Sequence, residues 1–210
     1  MFNAERIFIL APHTDDGELG CGALISKYIA KGSHIFYIAF SACVESLPKG
    51  LPADTLISEC KAATSMLGIQ ESDVMLFNYS VRKFQENRQE ILEELIKLKS
   101  QYQPTTIFLP AQNDIHQDHQ AIYAEGLRAF KNVTVLGYEL PWNNCMFQPN
   151  YFEIVSEKEL SAKIRALKLY KSQEKRRYMQ EEFIRSLAIV RGVQSGTYLA
   201  EAFEIYRMIN

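Results

Sequence analysis

The chain has 210 residues, of which 47% are hydrophobic, 23% charged and 11% aromatic, a globular balance that excludes disordered and collagenous classes. One domain of this length buries roughly 70% of the surface its unfolded chain exposes, so it needs neither disulfides nor a structural metal to fold. Lys plus Arg number 23 and Asp plus Glu 25, a net charge of -2. That leaves no footprint for a phosphate backbone, and nucleic acid is not an expected partner.

Met1 to Leu10 holds an acidic residue and an arginine ahead of a short apolar stretch, which reads as neither a secretory leader nor a membrane span. No later segment is long and apolar enough to span. Cys21, Cys43, Cys60 and Cys145 form no CxxC pair. They read as reduced, mostly buried thiols of a cytoplasmic protein.

In chain order, Arg6 to Ala11 is a buried strand ending at Pro12, and Leu19 to Lys31 has the three- and four-residue apolar spacing of a helix. His34 to Phe40 is a strand, Thr55 to Leu67 a helix closed by Gly68, and Val74 to Phe77 a short strand. Gln85 to Tyr102 is the clearest helix, stopped by Pro104. Strand Thr106 to Leu109, helix Gln120 to Phe130 and strand Val133 to Tyr138 follow. This alternation predicts an α/β fold, a Rossmann-like and mostly parallel sheet with helices on both faces. Ser156 and Glu159 form a capping box that opens a long charged helical region to about Arg191. With no linker before it, residues 1–210 read as a single domain; Tyr198 to Met208 is a strand or a helix.

Three of the four histidines fall in two polar clusters, each just after a predicted strand: Pro12-His13-Thr14-Asp15-Asp16 and Asp114-Ile115-His116-Gln117-Asp118-His119. Open α/β sheets bind ligands at the carboxyl ends of their strands, so both clusters face one rim. A zinc ion in a hydrolase takes three His, Asp or Glu ligands and leaves one position open. His13 and Asp16 are spaced for one tight turn, and His119 or His116 can complete the set. Asp15 is then free to take a proton and the spare histidine to stabilise an oxyanion. The acidic doublet is also what a helix N-cap looks like. His34 opens a strand alone and reads as structural.

Ala11 to Gly22 (APHTDDGELGCG) together with His116-Gln117-Asp118-His119 resembles the paired signature of the PIG-L/LmbE family of zinc-dependent N-deacetylases. Tyr138 to Asn144, Arg191-Gly192 and Tyr198 to Phe203 resemble it too. The resemblance implies an LmbE-like fold, Zn2+ held by His13, Asp16 and His119, and Asp15 as general base and then acid. It further implies that His116 steadies the tetrahedral intermediate and that Asp118 orients a histidine. The implied substrate is an N-acetylglucosamine-type sugar, free or joined to a nucleotide, lipid or aglycone. The family commonly has Pro where this chain has Thr14, a departure that leaves every ligand in place.

Arg82, after the strand Val74 to Phe77, is a candidate for holding a sugar hydroxyl or phosphate and equally a solvated surface residue. Trp142, the only tryptophan, is a candidate wall for a sugar ring or a core aromatic. Arg191 is a binding residue or a helix C-terminal cation ahead of Gly192. Gly17, Gly20 and Gly22 lack dinucleotide order, and Asp15-Asp16 would repel a pyrophosphate, so no nicotinamide cofactor is expected. Lys171 to Glu182 reads as a solvated helix face, with a subunit contact or an anionic carrier group as the lesser reading. Oligomeric state, including a homo-oligomer, stays open. Two rival functions fit the same residues: an iron(II) oxygenase using the His/Asp/His shell, and a metal-dependent sugar-binding protein without catalysis.

Overall fold

A computed structural model describes residues 3–209, so Met1 and Phe2, part of the stretch weighed above as a leader, lie outside it. The strands are β1 (Arg6–His13), β2 (His34–Ser41), β3 (Val74–Leu76), β4 (Thr106–Pro110), β5 (Thr134–Tyr138), β6 (Tyr151–Ile154) and β7 (Ala200–Arg207). They form one sheet in the order β3-β2-β1-β4-β5-β7-β6. The first five are parallel, and β7 runs antiparallel between β5 and β6.

Helices α1 (Asp16–Ala30), α2 (Thr55–Leu67), α5 (Glu157–Leu167) and α6 (Glu181–Ser195) cover one face, and α3 (Arg88–Tyr102) and α4 (Gln117–Ala129) the other. The two-residue period of β1 makes this possible. Ile7, Ile9 and Ala11 pack under α1, while Phe8 and Leu10 pack under α3 and α4. Because β1 feeds β2 on one side and lies beside β4 on the other, the sheet reverses its winding between β1 and β4, where a crevice opens at the strands' carboxyl ends.

Most elements lie where the apolar spacing puts them; the last third differs. The expected long helix is two helices, separated by Lys168–Gln180 with 3-10 turns at Lys171–Gln173 and Arg177–Met179. Tyr170, Gln173 and Met179 are buried there, so this segment turns inward and cannot stay a solvated helix. The capping box at Ser156 and Glu159 does open α5. β6 went unrecognised because four residues of an edge strand carry too little periodicity. Tyr198 to Met208 resolves mainly as β7. Cys21, Cys43 and Cys60 are buried and Cys145 is exposed, all as free thiols. No helix among the described residues is long and apolar enough to cross a membrane.

Candidate active site

β1 ends on His13, and three residues later α1 begins at Asp16. Asp15 occupies the N-cap position without a side-chain capping bond, so its carboxylate is not consumed by the helix. Asp16 instead turns back to accept from the His13 backbone N–H at 2.9 Å. At the end of β4 the chain passes Asp114 and starts α4 with His116 as N-cap, whose Nδ1 accepts from the Asp118 N–H at 3.2 Å. The helix starts three residues before the apolar spacing suggests, which puts Asp118 and His119 on its first turn.

The two clusters meet. His13 Nδ1 lies 3.1 Å from Asp16 Oδ2 and 3.2 Å from His119 Nε2, and His119 Nε2 lies 3.2 Å from Asp16 Oδ2. Three ligand atoms at about 2.0–2.1 Å from a tetrahedral ion would be about 3.3 Å apart. His13 Nε2 is 3.1 Å from Asp118 Oδ2, and His119 Nδ1 is 2.7 Å from Asp114 Oδ2. With one ring proton directed at the carboxylate behind it, each imidazole has its other nitrogen in the triangle. Once that second nitrogen gives up its proton, two imidazole nitrogens and a carboxylate oxygen at these spacings form a donor set that fits a metal ion. His116 stands beside it: one nitrogen from each of His13, His116 and His119 lies within 4.8 Å of the others.

Charge follows this geometry. Burial opposes the charged ring of His119, but Asp16 and Asp114 outweigh it and raise the pKa to about 10; His13 is raised in the same way by Asp16 and Asp118. Burial also opposes the Asp16 carboxylate, yet His119 and His13 hold it far below the usual range. Asp15 goes the other way: burial and the neighbouring Asp16 charge push it up to about 6. Burial, with His119 and His13 alongside, lowers His116 to about 4. A neutral His116 whose Nδ1 accepts a backbone N–H carries its proton on Nε2, a donor beside the His13–Asp16–His119 triangle.

The turn that carries Asp15 is fixed from below. Thr14 O accepts from Tyr37 Oη at 2.8 Å and from Tyr170 Oη at 2.6 Å. Both hydroxyls also meet the fully buried Glu18 carboxyl, and the Gly17 N–H donates to Tyr37 Oη at 3.1 Å. Burial pushes Glu18 up to about 8. A side chain at Gly17 would meet the Tyr37 ring at 2.5 Å, so the turn needs glycine there.

A cavity of about 260 Å³ opens over these groups. Of the predicted substrate contacts, Arg82 and Trp142 line it. Arg82 has φ 68, a left-handed conformation held by the bond from its N–H to Asp118 Oδ2 at 2.7 Å. One face of Trp142 is stacked on Tyr178, at 4.0 Å between ring centres, so a ligand has only the remaining ring surface. Arg191 is elsewhere. It lies inside α6, which runs on to a Gly196 cap, and its guanidinium is paired with Glu139; Gly192 is an interior glycine packed on Tyr198. His34 is structural, paired with Asp73 and stacked on Phe36.

Sequence reasoning missed Asp114 as the partner of His119, although it stands in the quoted cluster. It also missed Gln173, Arg176 and Tyr178, which line the cavity from the segment read as a solvated helix face. The buried, inward-turned residues flanking them are the only local sign.

Residues 8–130 match the PIG-L family, described as GlcNAc-PI de-N-acetylase. The chain belongs to this family. It is also 31% identical over 173 residues to the uncharacterized deacetylase YaiS of Escherichia coli (strain K12), a match covering 79% of this chain and 90% of that protein. The fold is similar to that of the N,N'-diacetylchitobiose deacetylase from Pyrococcus horikoshii, with TM-score 0.77, 20% identity, and coverage of 97% of this chain and 84% of that one. It is similar too to GalB, the 4-carboxy-2-hydroxymuconate hydratase of Pseudomonas putida KT2440, with TM-score 0.75, 15% identity and 98% coverage of both chains. The scaffold by itself therefore does not select a reaction, and the family and the site must do so.

Proposed function

We propose that this PIG-L family member is a zinc-dependent hydrolase that removes the acetyl group from an N-acetylated amine. Its substrate is an N-acetylglucosamine-type sugar, free or attached to a nucleotide, lipid or aglycone. The observation that carries this reading is the convergence of three potential ligand atoms, from His13, Asp16 and His119, beside the carboxylate of Asp15, which makes no helix-capping bond, in an open cavity. These three residues would hold the zinc. Bound there, the ion polarises the amide carbonyl and makes water a nucleophile at neutral pH.

Asp15 accepts a proton from the water that attacks the acetyl carbon, and His116 Nε2–H donates to the oxyanion that forms. Asp15 then passes its proton to the amide nitrogen. The C–N bond breaks, and acetate and a free amine leave. Asp118 and Asp114 keep the two metal-facing imidazoles in the tautomer that presents a lone pair.

The test is acetate release from a panel of N-acetylglucosamine conjugates by zinc-loaded protein. A chelator should take activity to background and zinc should restore it. Oxygen-dependent turnover with one equivalent of iron would establish the oxygenase instead, and binding without any acetate would establish a binding protein.

A further inference from the structure

The segment between α5 and α6 reaches the turn between β1 and α1 at a single atom. Tyr170, just beyond the end of α5 and buried, donates from its hydroxyl to Thr14 O at 2.6 Å. Tyr37 on β2, buried as well, donates to the same oxygen at 2.8 Å. The Glu18 carboxyl lies against both hydroxyls, and the Gly17 N–H donates to Tyr37 Oη at 3.1 Å. Ser172 anchors the segment next to Tyr170, donating from its N–H to Glu59 Oε1 of α2 at 2.9 Å and from its hydroxyl to Glu59 Oε2 at 2.6 Å. Gln173 joins this anchor to Arg176 on the cavity wall.

Thr14 O belongs to the peptide that joins Thr14 to Asp15. That peptide is planar, so holding its oxygen holds the plane from which Asp15 starts. The plane on the other side of Asp15 is held too, because the Leu19 N–H donates to Asp15 O at 3.0 Å. With no helix-capping bond, the Asp15 carboxylate takes its aim from the Cα–Cβ direction that the two planes set. Packing asks only for a ring at positions 37 and 170, which phenylalanine would supply. It is the hydroxyls that reach the turn.

We infer that Tyr170 and Tyr37 are positioning residues: through Thr14 O they hold Asp15 where it exchanges its proton, and Tyr170 makes that placement depend on the segment that walls the cavity. This rests on the deacetylase reading, in which Asp15 carries the proton.

Zinc-loaded Tyr170→Phe and Tyr37→Phe are compared with wild type by crystallography and by acetate release, and either variant alone suffices. The Asp15 carboxylate is expected to move by roughly 1 Å while His13, Asp16 and His119 keep their places, and kcat to fall roughly 10- to 100-fold. KM and zinc affinity, the latter from chelator competition, should stay at wild-type values. In Asp15→Asn, adding Tyr170→Phe should lower kcat by less than about twofold more, because the residue acts through a group already lost. Tyr28→Phe removes a buried hydroxyl bond to Glu153, 3.0 Å long and outside the cavity, and should leave kcat unchanged. A carboxylate that stays in place, an unchanged kcat in variants shown to be folded by urea unfolding, or losses that multiply in the Asp15→Asn background would overturn the positioning role. Wild type that frees no acetate breaks the reaction reading, and a displaced Asp15 in the variant crystals would still uphold the hold of the tyrosines on the turn.

Discussion

The cavity has two sides built on different principles. On one, His13, Asp16, Asp114, Asp118 and His119 stand just after the ends of the two central strands, and the His13 and His119 imidazoles each have a buried carboxylate behind them. On the other, Arg176 is an exposed residue between two 3-10 turns, held by a relay of side chains that ends on Glu59. The first side cannot shift without disturbing the sheet. The second can change its residues while the sheet stays intact. The proposed reaction draws on the rigid side.

Variants on each side sharpen this division. Asp15→Asn should lower kcat by roughly 10² to 10⁴ while zinc content, measured by elemental analysis, stays at the wild-type level. Loss of metal together with activity would move Asp15 from proton transfer into the ligand set. His116→Ala should cost roughly 10² to 10³ in kcat, as for removal of an oxyanion donor. An effect confined to KM would place His116 with the substrate contacts instead. Asp114→Asn should weaken zinc roughly 10- to 100-fold in a chelator competition, since the amide no longer accepts the His119 proton as a carboxylate does. Unchanged zinc affinity would show that His119 needs no such partner.

The smallest effect is expected beneath the turn. Glu18 has its folded pKa raised by burial from 4.5 to about 8. The neutral carboxyl is the form the fold prefers, so its contribution to stability is complete below about pH 4.5 and is lost as the pH rises through about 8. Glu18→Gln carries no such proton. Urea unfolding should therefore show wild type losing stability relative to this variant between pH 5 and pH 8.5. Parallel curves for the two proteins would mean that Glu18 is ionised throughout.

Much of this was legible in the chain itself. Buried parallel strands announce themselves as apolar runs such as Ile7 to Leu10, and helices as spaced stripes such as Ile91, Leu92 and Leu95. His13, Asp16, His116 and His119 stood out because polar residues gathered directly after strands have few other reasons to be there. Lys168–Gln180 was illegible for the opposite reason. Its charges match a solvated helix, and only the burial of Tyr170, Gln173 and Met179 shows that it folds inward. Arg191 misled in a related way, since nothing local reveals that Glu139 is waiting to pair with it.

Local pattern, then, determined the strand and helix alternation, the rim on which the two histidine clusters sit and the residue types available for chemistry, because periodicity and turn residues act over a few positions. Tertiary structure alone decided the pairings: Asp114 with His119, Asp118 with His13, Glu59 with the segment that carries Arg176. Those partners can be far apart in sequence, as 105 positions for Asp118 and His13. Only the closing of the sheet and the packing of its helices bring such groups within hydrogen-bonding distance.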